Sequence, residues 1–242
     1  MANRELKPAK DLAAQASKPY PNDSAAYREA RTALMAEEIE LRRHVERVAA
    51  MRRALPPGGE VPQDYAFVAE GGREVRLSEL FGPHRTLVVY SWMYGKKRKA
   101  ACPMCTALLG SLDHLVKDIT QRVAFAVVAT SSVERQLAHA RERGWRQLPF
   151  YADDSEAFAN DYRHIGPDGE DWAGFDVFHR GDDGKIRHFW SWEAGAGTED
   201  PGEDPKMAPD PVGMWALFDM TPEGRDPKWY PKLSYGGEPA AK

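Results

Sequence analysis

Apolar residues recur along this chain in two different rhythms. In the first quarter they follow a helical period: Leu34, Met35, Ile39, Leu41, Val45, Val48, Met51 and Leu55 mark one side of a long helix. Asn22, Asp23 and Ser24 offer N-caps for it, and Pro56-Pro-Gly-Gly59 stops it. Its other side is dense in charge, with Glu37, Glu38, Arg42, Arg43, Glu46, Arg47, Arg52 and Arg53. That side reads as a solvated face, with a dimer contact as the second reading. Ahead of it, residues 1–22 mix Lys, Pro and Ala up to Pro19-Tyr-Pro21 and read as a loose arm.

Past residue 60 the rhythm changes to short strand-like runs. Tyr65-Ala-Phe-Val68 and Glu74-Val-Arg-Leu77, joined by Glu70-Gly-Gly-Arg73, predict a hairpin. Ser78-Glu-Leu-Phe-Gly82 predicts one helical turn closed by glycine. Two wholly apolar runs, Thr86–Tyr94 and Val123–Thr130, read as buried strands. Between them lies a helical pattern in Leu108, Leu109, Leu112, Leu115 and Val116. A strand, helix and strand of this length imply a parallel crossover.

The pattern then continues with a helix from a Ser131/Glu134 capping box to Gly144, a short strand at Leu148–Tyr151, and a brief helix to Tyr162 capped by Asp154 or Ser155. Phe175–His179 and Lys185–Trp190 flank Arg180-Gly-Asp-Asp-Gly184 as an antiparallel hairpin. Residues 194–213 read as loop, Val212–Met220 as a last short helix, and the tail from Lys232 as unfixed. No repeat and no second composition class interrupts this. The expected organisation is an arm and amphipathic helix over 1–58, one α/β domain over 59–231 with a central mixed sheet flanked by helices, and a tail over 232–242.

Composition narrows the class of function. The chain has 242 residues, ample for one core. Its 42% hydrophobic and 29% charged content is that of a globular protein. A net charge of −4 gives no general attraction to nucleic acid or anionic membrane. No apolar run approaches the roughly 20 residues that span a bilayer. The N-terminus, Met1-Ala-Asn-Arg-Glu-Leu-Lys-Pro8, carries no apolar signal core, so the chain reads as cytoplasmic. In that reducing compartment a close cysteine pair points to catalysis or metal binding before a structural staple.

The only two cysteines stand in Cys102-Pro-Met-Cys105, at the start of the helix that follows the first buried strand. Strand, loop, CxxC and helix is the order a thiol–disulfide site needs. Cysteines with two residues between them on one turn come within disulfide distance. The first sits where unpaired backbone N–H groups and the helix dipole favour negative charge. The attacking species is the thiolate, whose pKa falls from about 8.5 to as low as about 3.5 in such settings. Pro103 suits the first turn. Cys102 is therefore the expected nucleophile and Cys105 the resolving thiol.

These pieces resemble the thioredoxin fold, in its peroxiredoxin-like branch, and more closely the DUF899 family of thioredoxin-like bacterial proteins, predicted dithiol–disulfide oxidoreductases. The resemblance rests on Cys102-Pro-Met-Cys105-Thr106, Gly144-Trp145, Val177-Phe-His-Arg180 with Gly184-Lys-Ile-Arg-His188, and Phe218-Asp-Met-Thr-Pro-Glu-Gly-Arg225. It implies a thioredoxin-like fold with an N-terminal helical extension and a redox site, without naming a substrate. Three departures qualify it. Lys99 stands where a peroxiredoxin carries threonine, which weakens the peroxide-reducing alternative. Trp172-Ala-Gly174 occupies the place of the thioredoxin cis-proline, with Pro149 and Pro167 at other offsets. The loop Gly95–Ala101 is longer than a thioredoxin's.

Other residues carry competing readings. The thiols could instead hold zinc or copper with two histidines, making the chain a non-catalytic binding module. No histidine has zinc-finger spacing to them, and His114 is over two turns from Cys102 along the same helix; no metal or cofactor is assigned. Lys96, Lys97, Arg98 and Lys99 read as a solvated loop, or as charge that steadies the thiolate or captures an anion such as glutathione. Trp92 or Tyr94 could line a pocket beside Cys102. His179 and His188 read as a hydrogen-bonded pair across the hairpin, Asp153-Asp154 as a helix cap, and Arg225 as a candidate anion ligand. The partners expected are a disulfide- or thiol-containing substrate and, through the N-terminal helix, a second copy of the chain; neither nucleic acid nor membrane is expected.

Overall fold

The computed structural model describes residues 6–192, 217, 218 and 220–224. The expected loop at 194–213, the anion ligand Arg225 and the tail from Lys232 lie outside them, as does most of the expected last helix. The chain divides into two compact units, Met1–Met51 and Arg52–Lys242.

The first unit holds two helices, α1 (Ala9–Ala16) and most of α2 (Ala25–Arg53). The helix α1 replaces the loose arm expected there. Its buried residues are Ala9 and Ala13, set against Ala36 with Met35 and Ile39 alongside. Alanine leaves no bulky apolar signature, yet it is the best helix former and lets two helices approach closely. Pro8 precedes the first turn, and the Ser17 and Thr32 hydroxyls, 2.7 Å apart, tie the end of α1 to α2.

The second unit is built on a seven-stranded mixed sheet. The strands are β1 (Ala66–Val68), β2 (Glu74–Arg76), β3 (Thr86–Ser91), β4 (Ala124–Ala129), β5 (Phe150–Ala152), β6 (Gly174–Arg180) and β7 (Ile186–Ser191). Their order is β2-β1-β5-β4-β3-β6-β7. The strands β3, β4 and β5 are parallel neighbours, and β6 runs antiparallel to β3. The helices are α3 (Leu77–Leu80), α4 (Pro103–Asp113), α5 (Val116–Ile119), α6 (Val133–Arg143) and α7 (Ala157–Asp161). Two parallel strands joined by a helix, followed across the sheet by an antiparallel hairpin, form a thioredoxin-like fold, as the motif order implies.

Strand alternation sorts the core into two faces. Val88, Tyr90, Phe125, Val127, Phe175 and Val177 meet α4 and α6 through Leu109, Leu112, Val133 and Ala140. Leu87, Val89, Ala126, Val128 and Phe178 meet α3 and α7 through Leu77 and Phe158. Every residue of β3 and β4 is buried, which explains their unbroken apolar runs. Elements deviate from expectation mainly at their ends. The strand β3 stops at Ser91, three residues early, and the helical run after the cysteines breaks at His114-Leu115 into α4 and α5. Ser132, not Ser131, caps α6 by accepting from Arg135 N–H; Gly144 ends it at φ 75°.

Two buried carboxylates carry the connections. Asp113, at the end of α4, accepts from the backbone N–H groups of Arg146, Gln147 and Leu148 at 2.8–3.1 Å. Asp153 accepts from Ala159 N–H at 2.8 Å and from the Ser155 hydroxyl at 3.1 Å. The N-cap of α7 is Glu156 rather than the expected Asp154 or Ser155, and of the Asp153-Asp154 pair it is Asp153 that takes an amide of the first turn. Among the described residues no helix is long and apolar enough to cross a membrane.

Candidate active site

The strand β3 delivers the chain to the carboxyl edge of the sheet, where open α/β sheets place their ligands. There it turns through residues 92–101 and re-enters as α4. Cys102 N–H donates to Met93 O at 3.1 Å, closing the loop at its neck. Cys102 occupies the N-cap position of α4, with Pro103 in the first turn. Its carbonyl accepts from both the amide and the hydroxyl of Thr106, each at 2.9 Å. The first-turn N–H groups thus point towards the Cys102 end of the helix, the surroundings that favour a thiolate.

The two cysteines differ sharply in environment. Both are free thiols; Cys102 is half-buried and Cys105 buried. Cys105 heads the inner stripe of α4 that continues into Leu109 and Leu112, spaced by the helical turn. Burial pushes the Cys105 thiol up to about 11, and nearby Cys102 adds to the rise. The Tyr90 hydroxyl and the Met93 backbone act the other way. The arrangement offers one accessible sulfur and, one turn deeper, a second that can reach it.

Tyr90 is the residue that sequence reasoning missed. Trp92 and Tyr94, one of which could line a pocket beside Cys102, are buried in the cluster against which Cys102 packs, and also lie against α6. The Trp92 ring lies 4.7 Å from Tyr94, 5.5 Å from His139 and 6.0 Å from Trp145. Tyr90, two positions earlier on the same strand face, shares the buried cluster with Cys105 and acts on its charge. The signal was the period-two alternation itself, which puts Val88, Tyr90 and Trp92 under the helical face.

The basic loop is clamped rather than aimed at the thiols. Lys96 pairs with Glu156 at 3.1 Å and donates to Asp154 O at 2.8 Å. Lys97 donates to Gly169 O at 2.9 Å, and Arg98 pairs with Asp171 at 3.4 Å. Asp171 also accepts from Gly95 N–H at 2.8 Å and from the Thr130 hydroxyl at 3.3 Å. Arg135 of α6 lies over the Tyr94 ring at 4.2 Å and donates to the carbonyls of Gly95, at 2.9 Å, and Arg98. Lys99 is the cation of this run left exposed without a partner among the described residues.

On the opposite face of the sheet edge, Ser91, Thr130, His164, Asp171 and Trp172 line a shallow cleft. Trp172 is half exposed there, two residues ahead of β6. Behind the cleft His164 Nε2 meets the fully buried Asp176 at 2.5 Å. Asp176 also accepts from the Ser191 hydroxyl, and His188 Nε2 lies 2.6 Å from that hydroxyl. His188 and His179 therefore do not pair with each other. A register shift between Val177 and Phe178 intervenes in the hairpin; His179 instead faces Thr86 Oγ1 at 3.0 Å. Among the described residues no three His, Cys, Asp or Glu side chains gather to hold a metal ion, and His114 is exposed.

Among protein families, the model of DUF899, "Bacterial protein of unknown function", matches residues 17–235. None of the curated proteins matches the chain. Among solved structures, a cysteine-to-serine mutant of Xanthomonas campestris peroxiredoxin Q is 17% identical, with 53% of this chain and 80% of that one covered at a TM-score of 0.41. The exposed lipoprotein thioredoxin Etrx1 of Streptococcus pneumoniae is also 17% identical, over 51% of this chain and 85% of that one, at 0.38. A cysteine-to-serine mutant of Xylella fastidiosa PrxQ is 14% identical, over 57% and 85%, at 0.44.

Proposed function

We propose that this chain, which belongs to the DUF899 family, is a thioredoxin-like dithiol–disulfide oxidoreductase with Cys102 attacking and Cys105 resolving. The observation that supports the reading is the asymmetry of the pair: an accessible sulfur at the α4 N-cap and a buried one a turn deeper, both free. In the forward direction the Cys102 thiolate attacks one sulfur of a substrate disulfide. A Cys102–substrate bond forms and the substrate's second sulfur leaves as a thiolate with the electron pair. Cys105, having lost its proton to solvent, attacks Cys102 Sγ. The substrate's first sulfur departs as a thiolate, and Cys102 and Cys105 are left joined. Two electrons and two protons pass from the protein to the substrate, whose thiolates take up protons from water.

Intact-mass measurement after thiol trapping, across glutathione or dithiothreitol redox buffers, tests this. The expected result is a reversible loss of two hydrogens, with a midpoint between about −270 and −120 mV, the range of catalytic dithiols. Absence of any reversible Cys102–Cys105 disulfide would overturn it.

A further inference from the structure

The resolving thiol is the unfavourable half of this chemistry. Cys105 is 3% exposed and lies among Tyr90, Trp92, Leu109 and Phe175. An ionised sulfur there has lost the water that would solvate it. Yet exchange requires the thiolate, because the thiol does not attack. Something inside the core must take the place of water. Two groups favour charge on Cys105: the hydroxyl of Tyr90 and the backbone of Met93.

Tyr90 is placed for that role by three features. It is the fifth residue of β3, on the face that α4 covers. Its ring is 1% exposed and held against Phe175 at a centroid distance of 4.8 Å, which fixes where the hydroxyl points. Cys105 is the polar group that acts most strongly on that hydroxyl, and the two share the buried cluster under α4. A phenol buried without such a partner would be costly. The titratable groups that face Cys105 are Tyr90 and Cys102, and those that face Tyr90 are Cys105 and Cys102.

We propose that Tyr90 is a positioning residue for the resolving step: its buried hydroxyl donates to Cys105 Sγ and holds the negative charge that this sulfur carries as it attacks Cys102. The role rests on the dithiol reading above. Burial holds the Tyr90 phenol well above its ordinary range. It therefore remains a donor while Cys105 is deprotonated, and the proton of Cys105 passes to solvent.

Ellman's reagent separates the two steps. The reduced protein should release one nitrothiobenzoate as Cys102 forms the mixed disulfide, at a rate proportional to reagent concentration. A second should leave in a concentration-independent phase, as Cys105 attacks Cys102 Sγ and the bond to the reagent breaks. In Tyr90→Phe the first phase is unchanged. The second slows about tenfold at neutral pH, the scale of one hydrogen bond to a charged group, and its pH midpoint moves upward. Phe175→Leu, which loosens the packing of the same ring and keeps the hydroxyl, leaves that midpoint in place. A Tyr90→Phe second phase with wild-type rate and midpoint overturns the role of Tyr90 and leaves the dithiol reading standing. A midpoint shifted equally by Phe175→Leu also overturns it, since packing alone would then suffice. A wild type that releases only one equivalent removes the dithiol reading and the role of Tyr90 together.

Discussion

At residue scale, this protein keeps its most expensive groups where backbone donors surround them. Asp113 is 3% exposed, and its carboxylate takes three consecutive N–H groups of the segment before β5. Asp113→Ala should strand those donors and cost roughly 2–4 kcal/mol. A fall in the denaturant midpoint at constant m-value would show it, and Asp113→Asn, which retains one acceptor oxygen, should lose less. In sequence Asp113 was one polar residue near a helix end, because nothing local says which amides, some thirty residues on, it will meet. The cysteines are the opposite case. Their spacing and their place after a strand made Cys102 and Cys105 legible at once, since one helical turn determines how two such thiols stand. Tyr90 lay between: its face could be read from alternation, but its partner could not.

At the scale of elements, the loop from β3 to α4 is held from two sides, by Asp171 ahead of β6 and by Arg135 of α6. Asp171 lies so close that a Cβ added at Gly95 would stand 2.2 Å from its carboxylate oxygen and 2.4 Å from Thr130 Oγ1. Glycine at 95 is a requirement of close approach rather than of turn conformation. Asp171→Ala should free the Gly95 amide and speed its hydrogen exchange at least tenfold, with the β3 and β4 amides unaffected. Equal exchange in variant and wild type would show the clamp to be dispensable. The basic run was read correctly as a loop, but its charge has a local use: Lys96, Lys97 and Arg98 are tied to carboxylates and carbonyls between residues 154 and 171. Only pairing in space could reveal this, because those acceptors come more than fifty residues later. The helix α1 escaped notice for another reason, since alanine contacts leave no amphipathic stripe.

At the scale of the whole molecule, two half-buried histidines set a pH dependence. Burial lowers the pKa of both His139 and His179 below the ordinary 6.5. The unfolded chain therefore binds protons that the fold refuses. Their contribution to stability is complete above about pH 6.5 and is lost as pH falls through that value towards the depressed folded pKa values. Asp153, raised by burial, contributes with the opposite sign, gaining stability as its carboxyl is protonated at lower pH. The melting temperature should drop between pH 7.5 and 5.5, and less steeply in His139→Phe; an unchanged slope in that variant would exclude His139 as a source.

The order of residues was enough for whatever depends on near neighbours: the parallel strands from their apolar runs, the hairpin β6–β7 from its turn, the end of α6 from its glycine, and the CxxC at a helix start. Folding in three dimensions settled the rest, where distant segments had to meet. It buried Asp113 and Asp176 with partners, turned the basic loop away from the thiols, sent His179 and His188 to different neighbours, and set Tyr90 against Cys105. Local periodicity is written in every few residues, whereas a hydrogen bond across the fold exists only once the sheet has brought its two ends together.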